Sequence, residues 1–406
     1  MLTSALLVLA LAQTPQHRLF LQPNLPRGDG LVFELGGTGG VGMGTACAGA
    51  AITTAGGLAT SWSRAGSATC AKQGPTTTGI SNADLVTIGS NLPRVESFSG
   101  NLAVLSEPAA TNLLPRFIEY NDATWANVGA PTQTTGLTSP WTGTYASSAV
   151  QYNDTSAVAF EGRTQTISVT AATQYTMCCY VKANSLTSAT VSLDGTTNSI
   201  TGLSSTTWSL VSVTDASSSG VAIAAQILSG SVVGDTGTVI WGGCQVEAGS
   251  YCTSMVPTAA ASASRAVDQG LTATLPSAVG PSMCLAATYA VRNSAVGAVN
   301  IAFLGASGTT EFGVYRTNDT AAGFDIASSV TAPAVASQGT TAHRLFLSDA
   351  SGTRSARFDN GVVSAPAASI TAAGTQVRVG VGPSAAAPTN GWIWAVQIDG
   401  PTRCTP

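Results

Sequence analysis

Charge is what this sequence has least of. Only 9% of its 406 residues are Asp, Glu, Lys or Arg, against about 25% in a typical soluble domain. Lysine occurs twice, at Lys72 and Lys182, and no basic run appears. A nucleic-acid partner is thereby excluded, because a phosphate backbone demands clustered Lys and Arg. Histidine also occurs twice, as His17 and His343, and no Cys-x-x-Cys spacing is present, so a zinc-type ligand set is missing. The one long apolar run, at the amino terminus, is too short for a permanent bilayer span, which leaves no integral membrane segment.

Sustained 3.6-residue amphipathic periodicity is absent as well. What the chain contains instead is Gly, Ala, Ser and Thr in abundance, with short runs rich in Val, Thr, Ile and aromatics between turn-forming clusters. That grammar predicts an all-β protein. Thr164 to Thr170, Tyr175 to Lys182, Ala189 to Leu193 and Thr238 to Gly242 read as strands of a middle block, with Asp194-Gly195 as a turn. The last block repeats the pattern, with Asn360-Gly361 as a hairpin signal between two apolar runs. At 406 residues, two or three domains are expected.

Residues 1–12 end in Ala10-Leu11-Ala12, a small-x-small pattern that predicts a cleaved signal peptide. Eight cysteines suit an oxidising compartment. Chain position suggests the pairs Cys47 with Cys70 and Cys284 with Cys404. Cys178 and Cys179 are adjacent and point to opposite faces of a strand, so at most one of them is expected to meet Cys244 or Cys252.

The segment Trp241-Gly242-Gly243-Cys244-Gln245-Val246-Glu247-Ala248-Gly249-Ser250 continues through Thr253, Ser254, Pro257 and Thr258, and Thr111-Asn112-Leu113-Leu114 lies upstream of it. Together they resemble the closing and opening strands of a β-jelly-roll found in phage tail- and head-fibre proteins and in related exported proteins that bind carbohydrate. Cys244 and Cys252 stand where that pattern has small residues. The resemblance extends to Ser61-Trp62-Ser63-Arg64-Ala65, to Asn91-Leu92-Pro93-Arg94, and to Glu107 before Thr111. Residues 266–406 resemble, more loosely, a concanavalin A or laminin G type sandwich. The resemblance implies two tandem antiparallel β-sandwiches, with residues 13–110 leading into a jelly-roll at 111–265 and the second sandwich following. It also implies a surface polysaccharide or glycoconjugate as partner, and a homo-oligomer, commonly a trimer.

Gly37-Thr38-Gly39-Gly40-Val41-Gly42 matches a dinucleotide fingerprint in spacing alone: no acidic residue falls between Glu34 and Asp84 to bind a ribose. Glu161, Asp194, Glu247, Glu311 and Asp325 lie in or beside strands without forming a paired motif, and Glu247 is expected to accept a hydrogen bond at a strand end. A Ser-His-Asp triad would need His343, and no Gly-x-Ser-x-Gly elbow accompanies it. The chain is therefore read as non-catalytic. No cofactor is expected beyond calcium, for which Asn121-Asp122, Asn153-Asp154 and Asn318-Asp319 are donors.

Sugar recognition calls for flat rings and neutral hydrogen-bonding groups. Trp125, Trp141 and Tyr145 fall in loop-like sequence, and Tyr180 shares a strand face with Lys182, so these four are the candidate contacts. Cell-surface glycan recognition by a secreted or virion-displayed protein is the expected function. The alternatives are a structural subunit of a phage-like or filamentous assembly, in keeping with the mean hydropathy of +0.26, and a glycan-cleaving enzyme.

Overall fold

The computed structural model describes residues 31–34, 46–47, 60–72, 80–98, 101–279, 283–292, 299–305, 312–326, 329–331, 334–335, 341–350, 353–359, 361–363, 374–381 and 389–399. The expected signal segment, the run Gly37 to Gly42, Glu311 and Cys404 lie outside the described residues. The chain is all-β, built from antiparallel strands in two sandwiches.

The first sandwich faces two five-stranded sheets. One runs Ser209–Asp215, Tyr175–Ala183, Gly237–Ala248, Ala149–Asp154, Thr132–Leu137; the other runs Thr196–Thr201, Ser188–Leu193, Ala222–Ser229, Gly162–Ser168, Ala126–Val128. Period-two alternation selects the inner face: Ile223, Ala225 and Ile227 alternate into the core from one strand, beside Val191 and Leu193 of the next. Asp194 (φ +50°) and Gly195 (φ +83°) form the expected turn between Leu193 and its cross-strand partner Thr196. Both have the positive φ that a two-residue type I′ hairpin needs.

The second sandwich draws on both ends of the chain. Its larger sheet runs Gly361–Val363, Thr353–Phe358, His343–Ala350, Met283–Val291, Gly391–Asp399, Asn101–Ser106, Arg94–Phe98, with Leu31–Glu34 also paired to Gly391–Asp399. The facing sheet runs Thr60–Trp62, Leu271–Val279, Gly374–Val379, Val299–Gly305, Phe312–Asn318, Ala321–Ile326, Ser329–Thr331. Val95 and Val104 share one core with Leu285, Ile301, Val314 and Val377. Strands expected to lead into the first sandwich therefore complete the second. The physical reason is that Gly391–Asp399 and Leu271–Val279 would otherwise present unpaired backbone edges. The Asn360-Gly361 hairpin signal also shifts by one residue: Phe358 pairs with Gly361, so the chain turns at Asp359, where φ is +52°.

A two-stranded neck, Ala110–Asn112 against Ala263–Arg265, joins the two sandwiches, and the hairpin Ala68–Ala71 with Leu85–Ile88 packs Ala71 and Leu85 into the core of the first. A buried ionic network fills the base of the neck. Glu107 bonds the guanidiniums of Arg94 (2.5 Å), Arg292 (2.6 Å) and Arg265, while Asp268 bonds Arg64 (3.1 Å) and Arg94. Ser254 of the closing motif donates its N–H (2.8 Å) and hydroxyl (2.6 Å) to Glu107. Burial acts to raise the Glu107 carboxyl, yet the surrounding guanidiniums hold it well below the ordinary range. Asn112 ties the opening motif to the closing one, accepting from the Val246 N–H (3.1 Å) and donating to the Val256 carbonyl (2.9 Å). Glu247 takes the role expected of it, accepting from the N–H (2.9 Å) and hydroxyl (2.7 Å) of Thr253.

Cys47 pairs with Cys70 as expected. Both adjacent cysteines are bonded, Cys178 to Cys252 and Cys179 to Cys244, which corrects the expectation that at most one would be. Opposite faces are the reason two bonds form. Cys179 lies directly across from Cys244 on the neighbouring strand, while the chain beyond Ala248 folds back and brings Cys252 to the other face. Cys284 is disulfide-bonded. Replacing Cys178 and Cys252 with Ser is expected to remove about 2–5 kcal/mol of unfolding free energy, measured by guanidinium titration; an unchanged midpoint would mean that the 249–258 segment is held without the bond.

Glu96 lies buried near the network and accepts the Ala71 N–H (2.9 Å) and the Trp392 indole N–H (2.8 Å). Burial outweighs those bonds and pushes its carboxyl up to about 7 from the ordinary 4.5. The fold therefore favours its protonated form, a contribution fully present below pH 4.5 and lost as pH rises through about 7. Across that interval the wild-type protein should lose stability that Glu96→Gln, lacking an ionisable group there, does not. Denaturant titrations at several pH values decide this, and parallel profiles would count against it.

Candidate functional site

The chain leaves the neck at Leu113 and crosses the end of the first sandwich before entering its first strand, so residues 113–125 form a plug. Apolar side chains of this stretch face inward: Phe117, Tyr120 and Trp125 are buried. Polar ones form a rim. Arg116 reaches the carboxylates of Glu119 and Asp122, the latter at 3.3 Å. Asp122 also accepts the Thr124 N–H (2.9 Å), a local turn that lowers its carboxyl pKa.

A second loop, Ser139 to Ser148, packs against the plug. Gly143 (φ +64°) opens its 3-10 turn, and the Tyr145 carbonyl accepts both the Ser139 and Ser148 hydroxyls at 2.5 Å. The Tyr145 ring is thereby set edge-on to Phe117 (4.9 Å between centroids) and Trp141 (6.1 Å). It remains half-buried. Partial burial, with the charge of Glu119 nearby, raises its phenol above the ordinary value. On the other side of the plug, Arg163 donates to the Trp125 carbonyl (2.8 Å) and to Gln133 (2.8 Å), and Gln165 donates to Thr124 (2.8 Å).

Three of the four ring residues named from sequence therefore meet at this end, but only Tyr145 presents ring surface. Trp125 and Trp141 are each 1% exposed and Tyr180 2%, so the expectation that they stack on a ligand is corrected. Both indoles fill the gap between the sheets, and their N–H groups are satisfied by the Arg116 carbonyl (3.0 Å) and the Gly242 carbonyl (2.8 Å). Tyr180 lies elsewhere, in the strand that carries the paired cysteines, with its hydroxyl raised by burial. Arg116, Glu119, Arg163 and Gln133 were not legible as site residues. Their one sequence signal is position, since Arg116 and Glu119 flank an aromatic in the stretch that holds Trp125.

The carboxylates named for hydrolysis do not share a groove where their side chains are described. Glu161 accepts from Thr155 and Ala130, Asp194 from Ser219, and Glu247 from Thr253. The calcium donors are likewise engaged: Asp154 accepts the Ser156 and Glu161 N–H groups, and Asp319 pairs with Arg316. Among the described residues no cluster of three metal-ligating side chains occurs, and no helix is long and apolar enough to cross a membrane.

No protein-family model matches the chain, and no curated protein does. Solved structures that match include a mutant of Trypanosoma rangeli sialidase displaying trans-sialidase activity, at 14% identity and TM-score 0.25, covering 29% of this chain and 20% of that one. The tandem CBM22-1-CBM22-2 domain of Paenibacillus barcinonensis Xyn10C matches at 11% identity and TM-score 0.26, covering 73% and 99%. Domains LG4-5 of the mouse laminin alpha1 chain match at 11% and 0.25, covering 68% and 92%. The chain spans about a fifth of the length of the sialidases it matches. Fold and site together define a class, a disulfide-braced β-protein of two sandwiches with an aromatic-floored polar end.

Because Trp125 belongs to the core, Trp125→Ala should lower the unfolding free energy by about 3–5 kcal/mol. Tyr145→Ala, at a half-buried position, should cost clearly less. Chemical denaturation of the two variants side by side gives the answer; equal losses would place Tyr145 in the core as well.

Proposed function

We propose that this protein recognises a polysaccharide or glycoconjugate at a cell surface, and that the plugged end of the first sandwich makes the contact. The observation that carries this reading is the Tyr145 ring, held edge-on by Phe117 and Trp141 while part of it stays open beside the Arg116 and Glu119 pair. A pre-oriented ring next to planar donors and acceptors suits a sugar, whose C–H face stacks while its hydroxyls bond. Three disulfides among the described residues support an extracellular setting. One ring and a few exposed hydrogen bonds leave little net affinity after desolvation. Several copies acting together would supply the rest.

A structural role is the second reading, favoured by the edge strands Thr132–Leu137 and Thr196–Thr201. Both are largely exposed and carry neither charge nor proline, the devices that normally protect an edge from pairing with another chain. A glycan array probed with the purified chain separates the two. Selective binding that falls at least about tenfold in Tyr145→Ala and Arg116→Ala, with folding intact, is the expected result. A blank array from folded protein that sediments as an assembly favours the structural role.

A further inference from the structure

His343 opens the strand His343–Ala350 of the second sandwich, and its imidazole is held between a hydroxyl and a carboxylate. Nδ1 lies 3.0 Å from Asp359 Oδ2, and Nε2 lies 3.0 Å from Thr341 Oγ1. Asp359 is fixed in turn: its other oxygen accepts the Arg344 N–H (2.9 Å), and its own N–H donates to the Arg344 carbonyl (2.8 Å). The ring stacks on Phe358, with centroids 5.0 Å apart and planes inclined by 23°. An ionised carboxylate only accepts, so it selects the tautomer with the proton on Nδ1. The lone pair on Nε2 is then left to accept from the Thr341 hydroxyl. The His343 side chain is 12% exposed, whereas Thr341 is open to solvent. Hydroxyl, imidazole and carboxylate in this order, each at hydrogen-bond distance, are the arrangement that activates an alcohol as a nucleophile.

We propose that Thr341, His343 and Asp359 form an acyl-transfer site that hydrolyses carboxylic esters of small acyl groups. Thr341 Oγ1 bonds to the ester carbonyl carbon as its proton passes to His343 Nε2. The imidazolium, stabilised and oriented by Asp359, returns that proton to the leaving alkoxide as the C–O bond breaks. Water then attacks the acyl-threonine, giving a proton to Nε2, and collapse of the adduct releases the carboxylic acid and restores the threonine hydroxyl. The balance needs only ester and water. Thr341 is exposed, so an ester with a small acyl group can reach its hydroxyl. The assignment stands apart from glycan recognition at the other sandwich.

The test is incubation of the full chain with p-nitrophenyl acetate near neutral pH, following p-nitrophenol release and the mass of the intact protein. The expected result is turnover with one acetyl group per chain, mapped to Thr341. Thr341→Val and His343→Gln should each lower turnover about 100-fold and abolish the adduct, and Thr341→Ser should retain both. Asp359→Asn should lower turnover as well, because an amide does not fix the tautomer that leaves Nε2 able to take the Thr341 proton. In His343→Gln, His17 remains as the sole imidazole and reports the background. Circular dichroism checks folding, and because Thr341 is exposed, its Val variant stays informative if the His343 variant unfolds. Release at the buffer rate from folded wild-type protein, or undiminished release from Thr341→Val, would overturn the proposal.

Discussion

The burial of Glu107 is the constraint on which the rest of this structure depends. A carboxylate without water is strongly destabilising unless its charge is matched and its lone pairs are filled. Arg94, Arg265 and Arg292 match the charge, and Ser254 completes the shell. Asp268 in turn holds Arg64 and the backbone N–H of Glu107. These groups come from positions scattered from 64 to 292, so the network closes only when the neck, the amino-terminal strands and the closing segment have all arrived. It secures the register of the neck more than it adds net stability, since a well-packed apolar core could be as stable as a buried ion pair.

That closure explains why the strands Thr60–Trp62 and Arg94–Phe98 belong to the second sandwich. Arg94 begins a strand of the larger sheet and Arg64 follows a strand of the facing one. Both must reach Asp268 where the chain re-enters the second sandwich. The first sandwich is then an excursion between two strands of the second. Its closing segment has to fold back to bring Ser254 to Glu107, and the same movement carries Cys252 over Cys178.

The end of the first sandwich shows how one segment serves packing and presentation together. Phe117, Tyr120 and Trp125 close the gap between the sheets, and Arg116, Glu119 and Asp122 of the same stretch supply the rim. Aromatic side chains in loop-like sequence were read as ligand contacts because loops face water. Here the loops lie across the core's open end, so their largest rings turn inward, where burial stabilises most. Tyr145 stays partly open because a 3-10 turn places it at the margin.

What the sequence determined by itself is local: strand character, the Asp194-Gly195 turn, the Cys47–Cys70 pair, and the motif residues Arg64, Arg94, Glu107, Asn112 and Ser254. Strand character and the turn follow from period-two patterning and turn conformation, which act over a few positions, whereas the cysteine pair was suggested by chain position and the motif residues by a resemblance of sequence. It did not reveal that those motif residues meet in one buried network, that both adjacent cysteines find partners, or that Trp125 and Trp141 are core. Nor did it place Thr341 and Asp359 on either side of His343. Only the tertiary structure decided these points, because each depends on which distant strands become neighbours, and that follows from burying the whole apolar surface while leaving no charge unmatched.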